Sequence, residues 1–192
     1  MRKDPPVDEE FIAALYMLRC YDPKKTLMVN NPDALLLANE KLFGQKIAPQ
    51  YFAKTLVSSN RDQIEKFAEV NEKIVLKPLF SSGGSGVLVV EKDDKNFLSM
   101  MELLSVGFKK PIMVQKYIKD ARLGDKRIIV VGGEPKGAIN RKPNDKDHRA
   151  NFHAGGRPES CDINPKELEI IKALKPHLLS LGLHLVGIDV IA

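Results

Sequence analysis

A lysine on a short apolar segment precedes a loop of serine and glycine, and this combination could bind phosphate. Lys77 lies within IVLKPL at residues 74–79, and residues 81–86 read SSGGSG. Small residues let backbone N–H groups approach phosphate oxygens, and the lysine adds a positive charge. The spacing matches neither a P-loop nor a dinucleotide-binding turn. An ordinary hairpin turn explains the loop equally well, so the loop alone leaves both interpretations open.

Other charged side chains could contact an anionic ligand. Lys41 follows an apolar helical segment, although the usual exposure of lysine favours a solvated side chain there. The charged residues 125–127 enter a predicted strand, where a hydrated charge cluster is the alternative. Arg141, Arg149 and Asn151 flank a long polar stretch without periodicity, which is typical of either a functional or a disordered segment.

The residues needed for a metal cluster or a protein nucleophile do not occur in the required patterns. The four histidines lack ligand spacing, and the serines lack the G-x-S-x-G turn of serine hydrolases. The two cysteines, Cys20 and Cys161, are too few and too far apart for a disulfide framework, which indicates the reducing cytoplasm. We predict that Cys20 packs on a helix.

Length and composition predict a folded protein with one large domain or two intimate lobes. The chain has 192 residues, of which 43% are hydrophobic and 29% charged. Lys and Arg exceed Asp and Glu by 30 − 25 = 5, which suits anionic partners such as nucleotides. The basic residues are dispersed without interleaved aromatics, so we expect no nucleic-acid role. The charged start and the lack of a long apolar run predict neither a signal peptide nor a membrane span.

Hydrophobic periodicity and turn residues predict the elements that position these side chains. We expect helices over residues 8–20, 32–43, 60–70, 96–104 and 165–178. We expect strands over residues 26–30, 55–58, 74–79, 87–92, 112–118 and 185–192, and two more within residues 126–141. The glycine loop then joins two strands of a hairpin. Because the chain ends inside an apolar strand, we also expect it to be truncated.

Several motifs follow one another along the whole chain. They are RKDPP at residues 2–6, NEKLF at 39–43, LKP with GGSG at 76–86, QKYI at 115–118, GDKR at 124–127, RANFHAGGR at 149–157 and VGIDVI at 186–191. Together they resemble the bacterial glutathione synthetases, a family of ATP-grasp ligases. The combination of RKDPP with R-x-N-x-x-x-G-G-R is far more specific than the glycine loop.

The resemblance implies an α+β ATP-grasp fold, in which two lobes with antiparallel sheets clasp ATP. Residues 1–40 would then be a linker and the start of the central region, after a missing N-terminal domain. Residues 41–118 would form the small lobe and residues 119–192 a truncated large lobe. The family continues after VGIDVI into a Glu-x-Asn pair that completes the magnesium ligands, so we expect this chain to be inactive alone.

The resemblance also assigns roles to individual residues. The α- and β-phosphates would contact Lys41 and Lys77, beneath a loop formed by Ser82, Gly83, Gly84, Ser85 and Gly86. Adenine would be bound by backbone groups of Gln115, Lys116, Tyr117 and Ile118, ribose by Asp125, and Mg²⁺ or Mn²⁺ by Asp189. The γ-phosphate and the peptide would be surrounded by Arg127, Arg141, Arg149 and Asn151, with residues 142–157 as a mobile lid. The loop entry Phe80-Ser81-Ser82 departs from the acidic residue and glycine that are commoner in the family.

The reaction implied is ATP-dependent ligation of γ-glutamylcysteine and glycine through an acyl phosphate. Cations and oriented donors suit this chemistry, since phosphoryl transfer to a carboxylate gathers several negative charges. The family forms homotetramers. Two alternatives stay open, namely another ATP-grasp carboxylate-amine ligase and a degenerate, non-catalytic nucleotide-binding module.

Overall fold

A computed structural model describes residues 7–38, 41–81, 83–142 and 157–191. The chain divides into two compact units. One comprises residues 1–51 and 120–192, and the other comprises residues 52–119. The predicted division into a linker and two lobes, with boundaries at residues 40/41 and 118/119, stays a prediction.

The described residues contain helices and two groups of strands. The helices are α1 (Glu9–Leu18), α2 (Pro32–Leu37), α3 (Phe43–Ile47), α4 (Arg61–Asn71), α5 (Phe97–Leu104) and α6 (Pro165–Ser180). The strands are β1 (Thr55–Ser58), β2 (Lys73–Pro78), β3 (Leu88–Glu91), β4 (Ile112–Lys116), β5 (Asp125–Val131), β6 (Glu134–Lys142), β7 (Arg157–Ser160) and β8 (Leu185–Ile191). No helix of the described residues is long and apolar enough to cross a membrane.

Polar side chains cap the N-termini of four helices. In each of α1, α2, α4 and α6, the side chain of the residue before the helix accepts a hydrogen bond from a backbone N–H of the first turn. The capping residues are, in that order, Asp8, Asn31, Asn60 and Asn164. At Asn164 the bond is reciprocal, because Glu167 accepts from the Asn164 N–H. These caps satisfy N–H groups that have no partner within the helix.

In the unit of residues 52–119, an antiparallel sheet runs in the order β1-β4-β2-β3. Ile74 and Leu76 of β2 are fully buried against Ile64 of α4 and Met101 of α5. Successive strand residues point to opposite faces. Lys77 therefore lies on the sheet face that α4 and α5 do not cover.

The other unit contains an antiparallel sheet in the order β7-β6-β5-β8. Ile128 and Val130 of β5 are buried with Ile171 of α6. On the opposite face, Asp125 of β5 pairs with Arg141 of β6, and Arg127 of β5 pairs with Asp189 of β8. The strand register thus places four charged residues side by side.

The predicted strand at residues 26–30 is wrong, since these residues form no strand. Leu27 is 91% exposed, so the apolar run does not bury its side chains. Asn30 instead contacts the start of β8: its Oδ1 accepts from the N–H groups of His184 and Leu185, each at 2.8 Å.

The predicted helix at residues 32–43 begins at Pro32 as expected but is too long, because α2 ends at Leu37 and α3 starts only at Phe43. Ala34, Ala38 and Phe43 pack in one apolar cluster. A continuous helix would place Leu42, four residues after Ala38, on that face. Leu42 is exposed instead, and Lys41 lies between α2 and α3.

Two smaller expectations about helix and strand ends need correction. Helix α1 ends at Leu18, and Cys20 is exposed beyond it, so Cys20 does not pack on a helix. Strand β4 ends at Lys116, two residues before the predicted end.

Candidate functional site

Three polar side chains cross the β1-β4-β2 face of the smaller unit. The Lys77 ammonium donates to Gln115 Oε1 at 2.8 Å, and Gln115 Nε2 donates to Thr55 Oγ1 at 2.9 Å. The Thr55 hydroxyl donates to the Ala53 carbonyl at 2.8 Å. All three side chains are partly buried. The result is a lysine whose direction is fixed by a chain of hydrogen bonds.

The glycine loop connects β2 and β3, which form the predicted antiparallel hairpin. Gly83, Gly84 and Gly86 have φ values of 62°, 77° and 70°, which favour glycine. A Cβ at Gly86 would lie 2.8 Å from Pro78 Cγ, so the loop returns too close to β2 for a side chain. Ser85 lies within this loop, and Ser82 lies outside the described residues.

The last residue of β4 and the residue after it each donate a backbone hydrogen bond within their own unit. The N–H of Lys116 donates to the Lys54 carbonyl at 2.9 Å, and the N–H of Tyr117 donates to the Lys73 carbonyl at 3.1 Å. The Lys73 ammonium lies 5.1 Å from the Tyr117 ring centroid. Ile118 is partly exposed. The N–H groups of Lys116 and Tyr117 are therefore already hydrogen-bonded within this unit.

In the other unit, two arginines and two aspartates form one network. Arg141 donates to both carboxylate oxygens of Asp125 at 2.7 Å, and its Nη2 lies 3.0 Å from Asp189 Oδ1. Arg127 donates to both oxygens of Asp189 at 2.7 Å. The four formal charges sum to zero. We call these four residues the Asp-Arg network.

Burial differs sharply within the Asp-Arg network. The Arg141 side chain is 2% exposed, whereas that of Asp189 is 42% exposed. Burial by itself raises the pKa of Asp189, but hydrogen bonds and positive charge from Arg127 and Arg141 outweigh it and lower that pKa below its ordinary value. Asp189 is therefore held ionised and accessible.

A buried ion pair supports the network from the other face of β5. Lys126 Nζ lies 2.7 Å from Glu167 Oε1 and also donates to the Asp162 carbonyl at 2.8 Å. Glu167 belongs to the capping box that starts α6. Lys126 lies between Asp125 and Arg127 in β5, so the pair joins this end of β5 to the first turn of α6.

Gly124 allows β5 to begin beside β6. Its φ is 121°, and a Cβ there would lie 2.8 Å from the Arg141 carbonyl oxygen and 2.6 Å from Asn140 Oδ1. Any other residue would push the two strands apart at the point where Asp125 meets Arg141. Close approach of the two strands thus explains why the GDKR segment begins with glycine.

The predicted site residues fall into two sets, one in each compact unit. The set in residues 52–119 comprises Lys77, Gly83, Gly84, Ser85, Gly86, Gln115, Lys116, Tyr117 and Ile118. The set in the other unit comprises Lys41, Asp125, Arg127, Arg141 and Asp189, of which the last four are in direct contact. Arg149 and Asn151 lie outside the described residues.

Sequence reasoning missed Thr55 and the Lys126–Glu167 pair. The sequence places Thr55 in a predicted strand, but only the pairing of β1 with β4 shows that it lies opposite Gln115. Lys126 was grouped with its charged neighbours, but the alternation of side chains along β5 places it on the buried face. Period-two alternation along residues 125–131 is the signal that could have found it.

Family comparison decides what kind of domain this is. The model of the prokaryotic glutathione synthetase ATP-grasp domain matches residues 40–192. The chain belongs to the prokaryotic glutathione synthetase family. Residues 1–35, part of the segment that we interpret as a linker, match the model of the family's N-terminal domain. The resemblance stated from the motifs is confirmed.

Curated relatives agree with this family over the whole chain. The glutathione synthetase of Synechococcus elongatus is 45% identical over 194 residues, and that of Agrobacterium fabrum is 42% identical over 191 residues. Each alignment covers 100% of this chain and 59% of the relative. The chain thus spans about three fifths of the length of these glutathione synthetases.

Solved structures show the same fold at low identity. D-cycloserine synthetase DcsG has a TM-score of 0.68 at 16% identity, over 94% of this chain and 65% of that chain. The ATP-grasp ligase PsnB has a TM-score of 0.65 at 19% identity, over 92% of this chain and 55% of that chain. The expected α+β ATP-grasp fold, with two antiparallel sheets, is confirmed.

Proposed function

We propose that this chain is the ATP-binding core of a glutathione synthetase, which ligates γ-glutamylcysteine and glycine with ATP. The observation that carries the proposal is the Asp-Arg network, because it lies on the sheet face opposite α6 within the region that matches the family's ATP-grasp domain. Arginine forks and a buried charge cluster suit a ligand with several phosphate and carboxylate groups.

The nucleotide contacts are assigned to both sets of residues. Lys41 and Lys77 contact the α- and β-phosphates, and backbone groups of the glycine loop close over them. The segment 115–118 binds adenine, and Asp125 accepts a hydrogen bond from ribose. Asp125 can do so while Arg141 occupies it, since a carboxylate offers about four acceptor positions.

The reaction needs cations more than a nucleophile from the protein. The γ-glutamylcysteine carboxylate attacks the γ-phosphate of ATP and gives an acyl phosphate and ADP. The glycine amine then attacks the acyl carbon, and inorganic phosphate leaves. Arg127 and Arg141, with Arg149 and Asn151, would offset the charge that these anions bring together.

A divalent cation, Mg²⁺ or Mn²⁺, fits Asp189 only as one ligand among several. No group of three or more His, Cys, Asp or Glu side chains that could hold a metal occurs in the described part of the chain. Mg²⁺ is commonly bound by one or two carboxylates plus substrate phosphates, and Asp189 suits that role. When bound, the cation would neutralise phosphate charge.

The guanidinium groups around Asp189 make the order of binding testable. Because Arg127 and Arg141 already contact its oxygens, a cation should bind tightly only with a phosphate ligand that engages those arginines. Electron paramagnetic resonance of free Mn²⁺ should show more uptake by the protein with ADP than by the same amount of ADP alone, and little uptake by the protein without ADP. Equal uptake in both cases, or equal uptake by Asp189→Asn, would contradict the assignment of Asp189.

Titration calorimetry of ADP with Mg²⁺ tests the nucleotide site itself. We expect the unsubstituted chain to bind ADP, and Lys77→Met to bind about tenfold more weakly, since a charged hydrogen bond contributes about 1.5–3 kcal/mol. Lys109→Met is a matched control, because Lys109 is an exposed lysine of the same unit. No ADP binding, or equal losses in the two variants, would contradict the proposal.

The substrate class is tested in the presence of ADP. We expect γ-glutamylcysteine to bind the ADP-loaded chain, and D-alanyl-D-alanine not to bind. The reverse preference would favour another carboxylate-amine ligase. We also expect the parent protein to be cytoplasmic and to form a homotetramer. Light scattering of the parent protein would test the tetramer.

A further inference from the structure

Thr55 lies two strands away from Lys77 on the same sheet face. In the strand register, Thr55 of β1 is opposite Gln115 of β4, and Gln115 is opposite Val75 of β2. Lys77 is two residues after Val75 and therefore shares its face. The Gln115 side chain bridges the distance between them, with contacts of 2.8 Å to Lys77 and 2.9 Å to Thr55.

The chemistry of the three groups permits one direction for this chain of bonds. An ammonium has donors and no acceptor, so the oxygen of the Gln115 amide must face Lys77. The amide nitrogen then faces Thr55 and donates to its hydroxyl oxygen. The Thr55 hydroxyl hydrogen is directed to the Ala53 carbonyl. The three bonds therefore run in one direction, from Lys77 through the Gln115 amide and Thr55 to the Ala53 carbonyl.

We propose that Thr55 is a positioning residue for nucleotide phosphate binding, acting through Gln115 on Lys77. The inference rests on the proposed function, in which Lys77 contacts phosphate. An ammonium carries three donors, so one such group can bind the Gln115 oxygen and a phosphate oxygen at the same time. Without the Thr55 hydroxyl, the Gln115 amide loses one of the two bonds that fix it, so its oxygen holds the Lys77 ammonium in place less firmly.

The substitutions separate the hydroxyl from the shape of the side chain. Thr55→Val keeps the β-branched form that suits a strand and removes both the donor and the acceptor. Thr55→Ser keeps the hydroxyl and removes only a methyl group. A purely structural role for this residue predicts that valine is the milder change, whereas a positioning role predicts that serine is.

The first measurement uses the ligand-free chain. The two Gln115 side-chain amide hydrogens can be followed by nuclear magnetic resonance. In Thr55→Val we expect their exchange with water to quicken and their chemical shifts to move toward free-amide values. In Thr55→Ser we expect both to stay near those of the unsubstituted chain. Unchanged Gln115 signals in Thr55→Val would overturn the proposal.

The second measurement compares ADP with adenosine, which has no phosphate. Loss of the neutral hydrogen bond between Gln115 and Thr55 predicts that Thr55→Val binds ADP about two- to tenfold more weakly. Thr55→Ser should bind ADP as tightly as the unsubstituted chain does. Adenosine should bind the unsubstituted chain and both variants with the same affinity. In a Lys77→Met background, Thr55→Val should cause no further loss.

The possible failures are distinguishable. If the unsubstituted chain does not bind ADP, the proposed function is refuted. If it binds ADP and Thr55→Val binds it equally well, only the role of Thr55 is refuted. Equal weakening of ADP and adenosine by Thr55→Val would also overturn this role, because it would show general damage to the unit.

Discussion

Replacing Arg141 by methionine should weaken the unit that contains the Asp-Arg network more than a change at any exposed arginine. Methionine approximates the length of the arginine stem and removes the guanidinium. Two carboxylates, Asp125 and Asp189, then lose a cation that lies 2.7 Å and 3.0 Å from them. Arg127 continues to contact Asp189, but Asp125 loses both of its 2.7 Å bonds to Arg141.

The size of the effect follows from burial. Removing one partner of a buried ion pair costs about 3–5 kcal/mol, because an uncompensated charge stays behind. Asp189 is 42% exposed and partly screened by water, so its share is small. We therefore take the lower end, about 3 kcal/mol, which corresponds to a change of about two orders of magnitude in the equilibrium for opening of β5 and β6.

Hydrogen exchange followed by mass spectrometry measures that opening segment by segment. Peptides from β5 and β6 should exchange about a hundredfold faster in Arg141→Met, and peptides from β2 and β4, in the other unit, are an internal reference. Arg141→Lys should recover part of the loss, since lysine keeps the charge but not the fork. Arg122→Met is the control, because Arg122 is exposed. If Arg141→Met and Arg122→Met exchange alike, the network does not stabilise this unit.

Four further outcomes are expected. Gly124→Ala should speed exchange at the start of β5, since its Cβ would lie 2.8 Å from a backbone oxygen of β6. Asn164→Ala should cost about 1 kcal/mol in urea unfolding, through loss of the α6 cap. The pKa of Asp189 is lower in the folded than in the unfolded chain, so its stabilising contribution is complete above about pH 4 and is lost as the pH falls through the folded value. Asp189→Asn should therefore reduce the loss of folding stability at acid pH, measured as urea midpoints at a series of pH values. Lys126→Met should destabilise more than Lys126→Met combined with Glu167→Gln, because the single change leaves a buried carboxylate, whereas glutamine is neutral and can keep the capping bond; equal urea midpoints would contradict this.

Most elements that carry the site could be predicted from the sequence, because their signals are local. Asn60 and Asn164 mark helix starts by capping, and the glycine loop between two apolar runs predicts the β2–β3 hairpin. The failures at residues 26–30 and 32–43 have a common cause. Apolar residues there satisfy a local pattern, but residues 26–30 join no sheet in the described structure, and α2 ends at Leu37.

The contacts of the site depend on register and could not be read from spacing. Arg141 and Asp125 are 16 residues apart, and Arg127 and Asp189 are 62 apart. Only the order β6-β5-β8 brings them together. Motif resemblance named all four residues without indicating that they contact one another. The hydrogen bond from Gln115 to Thr55 is hidden for the same reason.

Strand β5 shows how one segment satisfies two demands at once. Asp125 and Arg127 point toward the network, while Lys126 and Ile128 point toward α6. A slip of one residue would exchange these faces and bury Arg127 beneath α6, where Glu167 could pair with it. Hydrophobicity alone discriminates weakly against this slip at the charged end of the strand. Lys126 resists it, since its ammonium reaches both the Glu167 carboxylate and the Asp162 carbonyl. We infer that the buried pair is retained for register more than for net stability, which is why Lys126→Met combined with Glu167→Gln should cost little stability and should still shift network contacts.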